Sequence, residues 1–386
     1  MSFGEFIVKR FLKWFRGYIK ATDKLLFLLC VIASLYGIVL IASSTGGFSS
    51  SQTIIQIVAT VLGIGIFILV SSIDTDTFTD NSRIIYILSV ALILTLIKWG
   101  VQDDTGNRAW LRFGSVGIQP AEIVKVTYAI VLVKVFISAK ERHGLNSPLT
   151  ILKTAAVFGV LFVLIVAISS DLGSALIYLF MFIVMLFAAG ISLWWFAAGF
   201  GVIVALAPLL WKFVLRQDQK DRILAPYDPS IDPTGLNILW QSNQSKAAIA
   251  NGGFTGQGLF HGTMTQSGSV PQQSTDFIFT VAAEELGFIG CIAIAVILLI
   301  IIARCVYVGV KSNYTLGYLL SFTIAAMLLS QMLINIGMCL GLTPVVGLTL
   351  PFFSYGGSSV ITSWTAMGLI AGIKMRPKPE SFRNYY

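Results

Sequence analysis

Apolar residues run through this chain in long blocks, not in the narrow stripes of a soluble amphipathic helix. A membrane-spanning helix needs roughly 17–25 mostly apolar residues. Ten blocks approach that length: 24–43, 53–71, 83–98, 119–138, 151–169, 172–190, 192–214, 284–309, 315–340 and 355–373. The third is short, and only a turn at Gly190 parts the sixth from the seventh. The expected fold class is an all-α polytopic membrane protein with about ten transmembrane helices. A long polar stretch, 215–275, separates the seventh block from the eighth. It carries turn residues (APYDPSIDPTG) and a glycine-rich run (ANGGFTGQGLFHG). Structureless loops of this length are uncommon. NILWQSNQSKAAIA within it has helical apolar spacing, so short helices are expected there.

Composition agrees. The 386 residues are 56% hydrophobic and 11% charged, too few charges to coat a soluble surface of that size. The net charge of +8 is compatible with nucleic-acid binding in principle. However, the basic residues cluster in short loops between apolar blocks, which reads as membrane topology or attraction to anionic lipid. No nucleic-acid partner is expected. Lys9, Arg10, Lys13, Arg16 and Lys20 precede the first block, and Lys24 opens it. Lys140 and Arg142, Arg304 and Lys311, and Lys374, Arg376, Lys378 and Arg383 follow even-numbered spans. With ten spans all of these fall on one side, while the loops 44–52 and 341–354 on the other hold no Lys or Arg. The positive-inside rule then places both termini in the cytoplasm and the 215–275 loop outside. Residues 1–23 (with FIVKRFLKWFRGYIK) read as an amphipathic cytoplasmic helix, 24–373 as the membrane domain and 374–386 as a cytoplasmic tail. The four cysteines lie in apolar segments without a CxxC pair, so neither a zinc site nor a disulfide framework is expected.

Ionisable groups at membrane depth are costly unless paired, and they tend to mark sites. Here they gather toward the outer side: Glu122 and Lys125 at the start of the fourth span, Asp171 between the fifth and sixth, and Asp276, Glu284 and Glu285 at the entrance of the eighth. Ser354 and Tyr355, in SYGGSS, open the tenth, and Arg108, Arg112, Arg222 and Lys246 lie in the outer loops. Each has a plainer reading. Asp276 and Asp171 suit helix N-caps. Glu122 suits a helix N-terminus and is spaced to pair with Lys125. Arg108 and Arg112 suit interfacial anchors beside Trp110. The glycine-rich run suits a flexible loop, since GGFTGQG lacks the Lys-Ser/Thr of a P-loop. Glu284 and Glu285, about eight residues beyond Asp276 and roughly 12 Å along a helix, are too far to share its proton. They read as supports answering Lys125 or an outer-loop Arg. The joint gathering on one face favours chemistry. A carboxylate in apolar surroundings becomes a better base, Arg and Lys can hold a pyrophosphate, and carboxylates with phosphate can hold Mg²⁺ or Mn²⁺.

Five stretches resemble the SEDS family of bacterial cell-wall proteins, the group of RodA, FtsW and SpoVE. They are NRAWLRFGSVGIQPAEIVK (107–125), DLGSA (171–175), NQSKAAIANGGFTGQG (243–258), TDFIFTVAAEELGFIG (275–290) and NIGMCLGLTPVVGLTLPFFSYGGSS (335–359). DLGSA, FAAGIS and the Met of NIGM look more like RodA than FtsW. QQS before Thr275 departs from the Pro-Glu pair and basic residue often seen in relatives, which weakens any role for charge just upstream of Asp276. The resemblance implies a peptidoglycan glycosyltransferase in the bacterial cytoplasmic membrane, with its active site outside. It would polymerise lipid II onto a nascent undecaprenyl-linked glycan, with inversion, in cell elongation and shape. Asp276 matches the family's essential aspartate, the expected general base and a possible metal ligand. Arg108, Arg222 and Lys246 are candidate pyrophosphate ligands. Glu122, Lys125, Asp171, Glu284, Glu285, Ser354 and Tyr355 are expected to support the site. A divalent cation (Mg²⁺ or Mn²⁺) is the one cofactor considered, and a class B penicillin-binding protein transpeptidase is the expected partner. Two rivals stand: a lipid II flippase or other transporter, favoured by intramembrane charge and broken helices, and a non-catalytic scaffold for the transpeptidase.

Overall fold

A computed structural model describes residues 17–102, 108–114, 116–213, 215–228 and 230–376. Most of the expected N-terminal amphipathic segment and most of the tail lie outside the described residues. The helices are α1 (Lys24–Ser44), α2 (Ser51–Ser72), α3 (Thr75–Asp80), α4 (Ser82–Trp99), α5 (Pro120–His143), α6 (Pro148–Leu164), α7 (Leu172–Ala188), α8 (Leu193–Phe213), α9 (Gln217–Leu224), α10 (Trp240–Gly252), α11 (Thr263–Gln266), α12 (Ile278–Lys311), α13 (Thr315–Cys339) and α14 (Gly357–Met375). A π-helical turn, Ile165–Ser169, extends α6. A small antiparallel hairpin, β1 (Leu111–Phe113) and β2 (Val116–Ile118), precedes α5 and pairs Leu111 with Ile118.

Each apolar block finds its helix, and the stops are local. Asp23 and Ser50 cap α1 and α2 by accepting from Leu26 N and Thr53 N, and Pro120 and Pro148 occupy the first position of α5 and α6. Gly190, at φ +76°, makes the turn into α8. Among the described residues, seven helices are long and apolar enough to cross a membrane by length and composition, and the protein is a multi-pass membrane protein. The other three long helices, α5, α7 and α14, are shorter or more polar and sit largely inside the bundle. Polar and small residues suit a helix that faces protein instead of lipid.

Small residues also set the closest packing. A Cβ on Gly63 of α2 would stand 2.6 Å from the Trp364 ring of α14, and one on Gly368 would stand 3.1 Å from the Phe67 backbone. The Phe67 and Trp364 rings meet edge-on between them, with Phe27 and Phe352 against Trp364. At the end of the bundle away from Asp276, buried Asp23 joins three helices. It accepts from Arg304 Nε of α12 at 2.7 Å and lies 3.3 Å from Lys374 Nζ of α14. Arg376 beside it donates to the carbonyls of Ser71, Ser72 and Ile73 that end α2. By contrast, none of the described side chains of α8 is buried.

Two boundaries differ from expectation. The eighth span does not begin at 284. Its helix begins at Ile278 and breaks at Gly287 (φ 65°, ψ −161°), so α12 is two helices in succession. Nor do Ser354 and Tyr355 open the tenth helix: they lie in the turn before Gly357. The expected short helices of the 215–275 loop are α9, α10 and α11.

Candidate active site at the head of α12

Asp276 stands in the turn that leads into α12, half-buried. Gln272 makes that turn, at φ 49°, and its carbonyl accepts from the N–H of Thr275, Asp276 and Phe277. The helix N-cap is Phe277, one residue on. The N-cap reading of Asp276 is therefore corrected: its carbonyl stands outside the helical ladder, since Thr280 N donates to Phe277 instead. Asn335 Nδ2 of α13 takes up the Asp276 carbonyl at 2.8 Å, with Cys339 Sγ beside it. A Cβ on Gly347, at φ +70°, would come 3.6 Å from Asp276 Oδ2, so this carboxylate faces the loop between α13 and α14.

That loop is fastened to the Asp276 turn. Tyr355 N donates to Ser274 O at 2.8 Å, and Ser274 Oγ donates to Gln52 Oε1 at the head of α2. Gln56 brackets the turn from the other side, donating to Ser354 O and accepting from Gly356 N. Buried Ser354 accepts from Leu350 N. Of the expected supports, Tyr355 meets the Asp276 turn through its backbone N–H, and Ser354 holds the loop itself through its Oγ.

The basic residues differ in placement. α10 packs against α12 and α13, where Ser245 Oγ lies 2.5 Å from Thr280 Oγ1 and donates to Cys339 O at 2.8 Å. Lys246, exposed, lays its stem over Gly341 at the end of α13, two residues past the cysteine that touches the Asp276 carbonyl. The structure thus brings Lys246 and Asp276 to the same end of α13. Arg108, also exposed, is fixed through its backbone N–H to Ser169 O, on the α6–α7 side. Arg222 is on α9, which has no buried residue, and the following Tyr227 docks on Leu342 O.

Glu122 and Lys125 form the expected pair, 2.5 Å apart and both buried. Asp171 is indeed an N-cap: Oδ1 accepts from Ser174 N and Oδ2 from Ser174 Oγ. It also accepts from Gln119 Nε2, and Gln119 N donates to Ser358 Oγ at the start of α14. Ser359 beside it meets Thr349 in the loop that faces Asp276. These groups form a polar layer behind the site.

Glu284 and Glu285 answer neither Lys125 nor an outer-loop arginine. Glu284 accepts from Thr265 N and Oγ1, Met264 N and Thr263 Oγ1, all on α11. Glu285 accepts from Ser43 Oγ at 2.6 Å and Gln266 Nε2 at 3.0 Å. The break at Gly287 is the physical reason. It frees backbone groups of α12, and the glycine-rich run pairs them: Gln257 N donates to Glu284 O and Gly258 N to Glu285 O, while Phe288 N donates to Gly253 O. This close approach seats α11 over the two carboxylates. The flexible-loop reading of that run is therefore corrected as well.

Sequence reasoning missed Asn335, Ser245, Gln56 and Gln119. Its available signal was a polar side chain within an apolar or small-residue helix, clearest for Asn335. Among the described residues no group of three His, Cys, Asp or Glu converges in a way that suits a caged metal ion. The one carboxylate of the site that could hold a divalent cation is that of Asp276, an oxygen ligand of the kind Mg²⁺ and Mn²⁺ take.

The family model of the FtsW, RodA and SpoVE cell cycle proteins matches residues 21–378. The peptidoglycan glycosyltransferase MrdB of Escherichia coli K12 is 30% identical over 355 residues, 91% of this chain and 93% of MrdB. A Geobacter metallireducens protein named "Probable peptidoglycan glycosyltransferase FtsW" is 32% identical over 371 residues, 93% of this chain and 96% of that one. Among solved structures, a chain from work on coordinated polymerization and crosslinking by a peptidoglycan synthase complex superposes with TM-score 0.78 at 27% identity, covering 92% of this chain and 97% of that one. The rod shape determining protein RodA of Thermus thermophilus shares the fold, with TM-score 0.67 at 24% identity over 92% of this chain and 96% of RodA.

Proposed function

The chain belongs to the FtsW, RodA and SpoVE family, and on that premise we propose that it is a peptidoglycan glycosyltransferase. It polymerises lipid II at the outer face of the cytoplasmic membrane, extending or receiving an undecaprenyl-linked glycan. The observation that carries the reading is the Asp276 turn. Two family-specific stretches, TDFIF and LPFFSYGG, are locked together around one half-exposed carboxylate.

Asp276 accepts the proton of the acceptor GlcNAc 4-hydroxyl as that oxygen bonds to the donor's anomeric carbon. The carbon–oxygen bond to pyrophosphate breaks with the electron pair leaving on the pyrophosphate. Attack opposite the leaving group turns the α linkage into β. Pyrophosphate needs no strong acid to leave, but its charge needs cations. Lys246 has the best-supported position for this, and Arg108 and Arg222 are further candidates. Asp276 would hold a divalent cation, which would supply neutralising charge to the leaving pyrophosphate. The expected partner is a class B penicillin-binding protein. The similarity to a synthase complex supports that pairing, and the RodA-like stretches DLGSA and FAAGIS are the ground for a role in elongation.

The test is purified protein with labelled lipid II and no other glycosyltransferase. Glycan polymer is expected from the wild type and none from a folded Asp276→Asn variant. Wild-type polymerisation by the Asn variant would remove Asp276 as base. Lipid movement across vesicles without polymer would favour a flippase. Loss of activity on thorough chelation, restored by Mg²⁺ or Mn²⁺, is the outcome expected for the cation.

A further inference from the structure

We infer that Asn335 is the positioning residue of the Asp276 carboxylate, an inference that rests on the catalytic reading of Asp276. Asn335 sits in α13 with no exposed surface. Its single Nδ2 donates twice, to Asp276 O at 2.8 Å and to Leu348 O at 2.6 Å. Those two carbonyls belong to the two segments between which the carboxylate lies. One is the turn that carries Asp276, and the other is the stretch in which Gly347 faces Asp276 Oδ2. The amide therefore fixes the carboxylate's own backbone and the wall it faces as one unit.

The residue type is required by the geometry. An amide nitrogen has two hydrogens for two carbonyls, whereas a carboxylate has none at neutral pH and an apolar side chain never has any. Bulk packing does not explain the choice. Asn335 Oδ1 is buried and has no hydrogen-bond partner among the described residues. A buried polar atom left without a partner lowers stability. The surrounding backbone uses both of the amide's donors.

Asn335→Ala tests this in the full-length protein. Misplacement of a reacting group by about 1 Å can lower a rate ~100-fold, so kcat is expected to fall about 10- to 100-fold while KM for lipid II stays within about twofold. The acid limb of the pH–rate profile is expected to move, because the carboxylate's surroundings change. Where the alanine variant does not fold, Asn335→Ser serves in its place. A second readout needs no turnover. The rate at which a water-soluble carbodiimide modifies Asp276, followed by mass spectrometry, is expected to change severalfold. Two results overturn the inference: wild-type kcat, pH profile and labelling rate in a folded variant, or an activity loss that tracks only the folded fraction. If the wild type makes no polymer, the catalytic reading fails, and the labelling rate alone then decides whether Asn335 positions Asp276.

Discussion

Glu122 and Lys125 form an ion pair with almost no contact with solvent. Removing one member leaves the other charged and uncompensated, which typically destabilises by about 3–5 kcal/mol. Lys125→Met is expected to lower the melting temperature sharply, read by fluorescence in detergent. Glu122→Gln combined with Lys125→Met is expected to recover most of that loss, since no buried charge remains. A double variant that melts no higher than the single one would contradict the pair as the source of the effect. The pair was legible from its spacing of three residues on one helix. The partners of Glu284 were not, because they are two backbone N–H groups and two threonine hydroxyls of α11, brought in by a loop whose path no periodicity encodes. Asn335 lay in plain view within NIGMCLG, but a polar residue in an apolar helix does not say which carbonyls it will reach.

At the scale of elements, α12 is two helices joined at a residue that only glycine fits. The φ and ψ of Gly287 lie in a region closed to other residues, and a Cβ there would meet Gly256 N at 2.4 Å and Phe254 O at 2.5 Å. Gly287→Ala is expected to destabilise by roughly 2–3 kcal/mol. It should also expose residues 252–262 to protease, checked by limited digestion with mass spectrometry. The loop between α9 and α10 has its own pH response. The N–H of Leu239, then that of Asn237, hold the Asp232 carboxyl below the usual carboxylate range. A lowered folded value means that the loop's stabilisation is present above the unfolded value, near 4, and is lost as pH falls through the lower folded one. Amide-exchange protection across 230–239 is expected to fall away below about pH 4 and to be weak at pH 7 in Asp232→Asn. Helix positions were readable because apolar blocks of this length have one structural outcome in a membrane. The break was not, since EELGFIG carries an apolar density that continues straight through it.

Across the whole molecule, the two ends of the bundle are closed differently. The end away from the site is tied by Asp23, Arg304 and Lys374, joining α1, α12 and α14. Asp23→Asn is expected to weaken that tie by about 1–3 kcal/mol, less than for a fully buried pair because both cations are partly exposed. Polymerisation per folded molecule should be unchanged, as the ion triad is at the far end from Asp276. A matching drop in kcat would instead show that the two ends are coupled.

The hydrogen bonds that fix the backbone on both sides of Asp276 come from neutral amides and hydroxyls: Asn335, Gln52, Gln56, Ser274 and the N–H of Tyr355. Mobile ions screen charges, but they leave neutral hydrogen bonds largely untouched. Rising ionic strength should therefore weaken capture of an anionic headgroup by the exposed Lys246. The scaffold around the carboxylate would keep its shape. In a titration with potassium chloride, KM is expected to climb while kcat holds level.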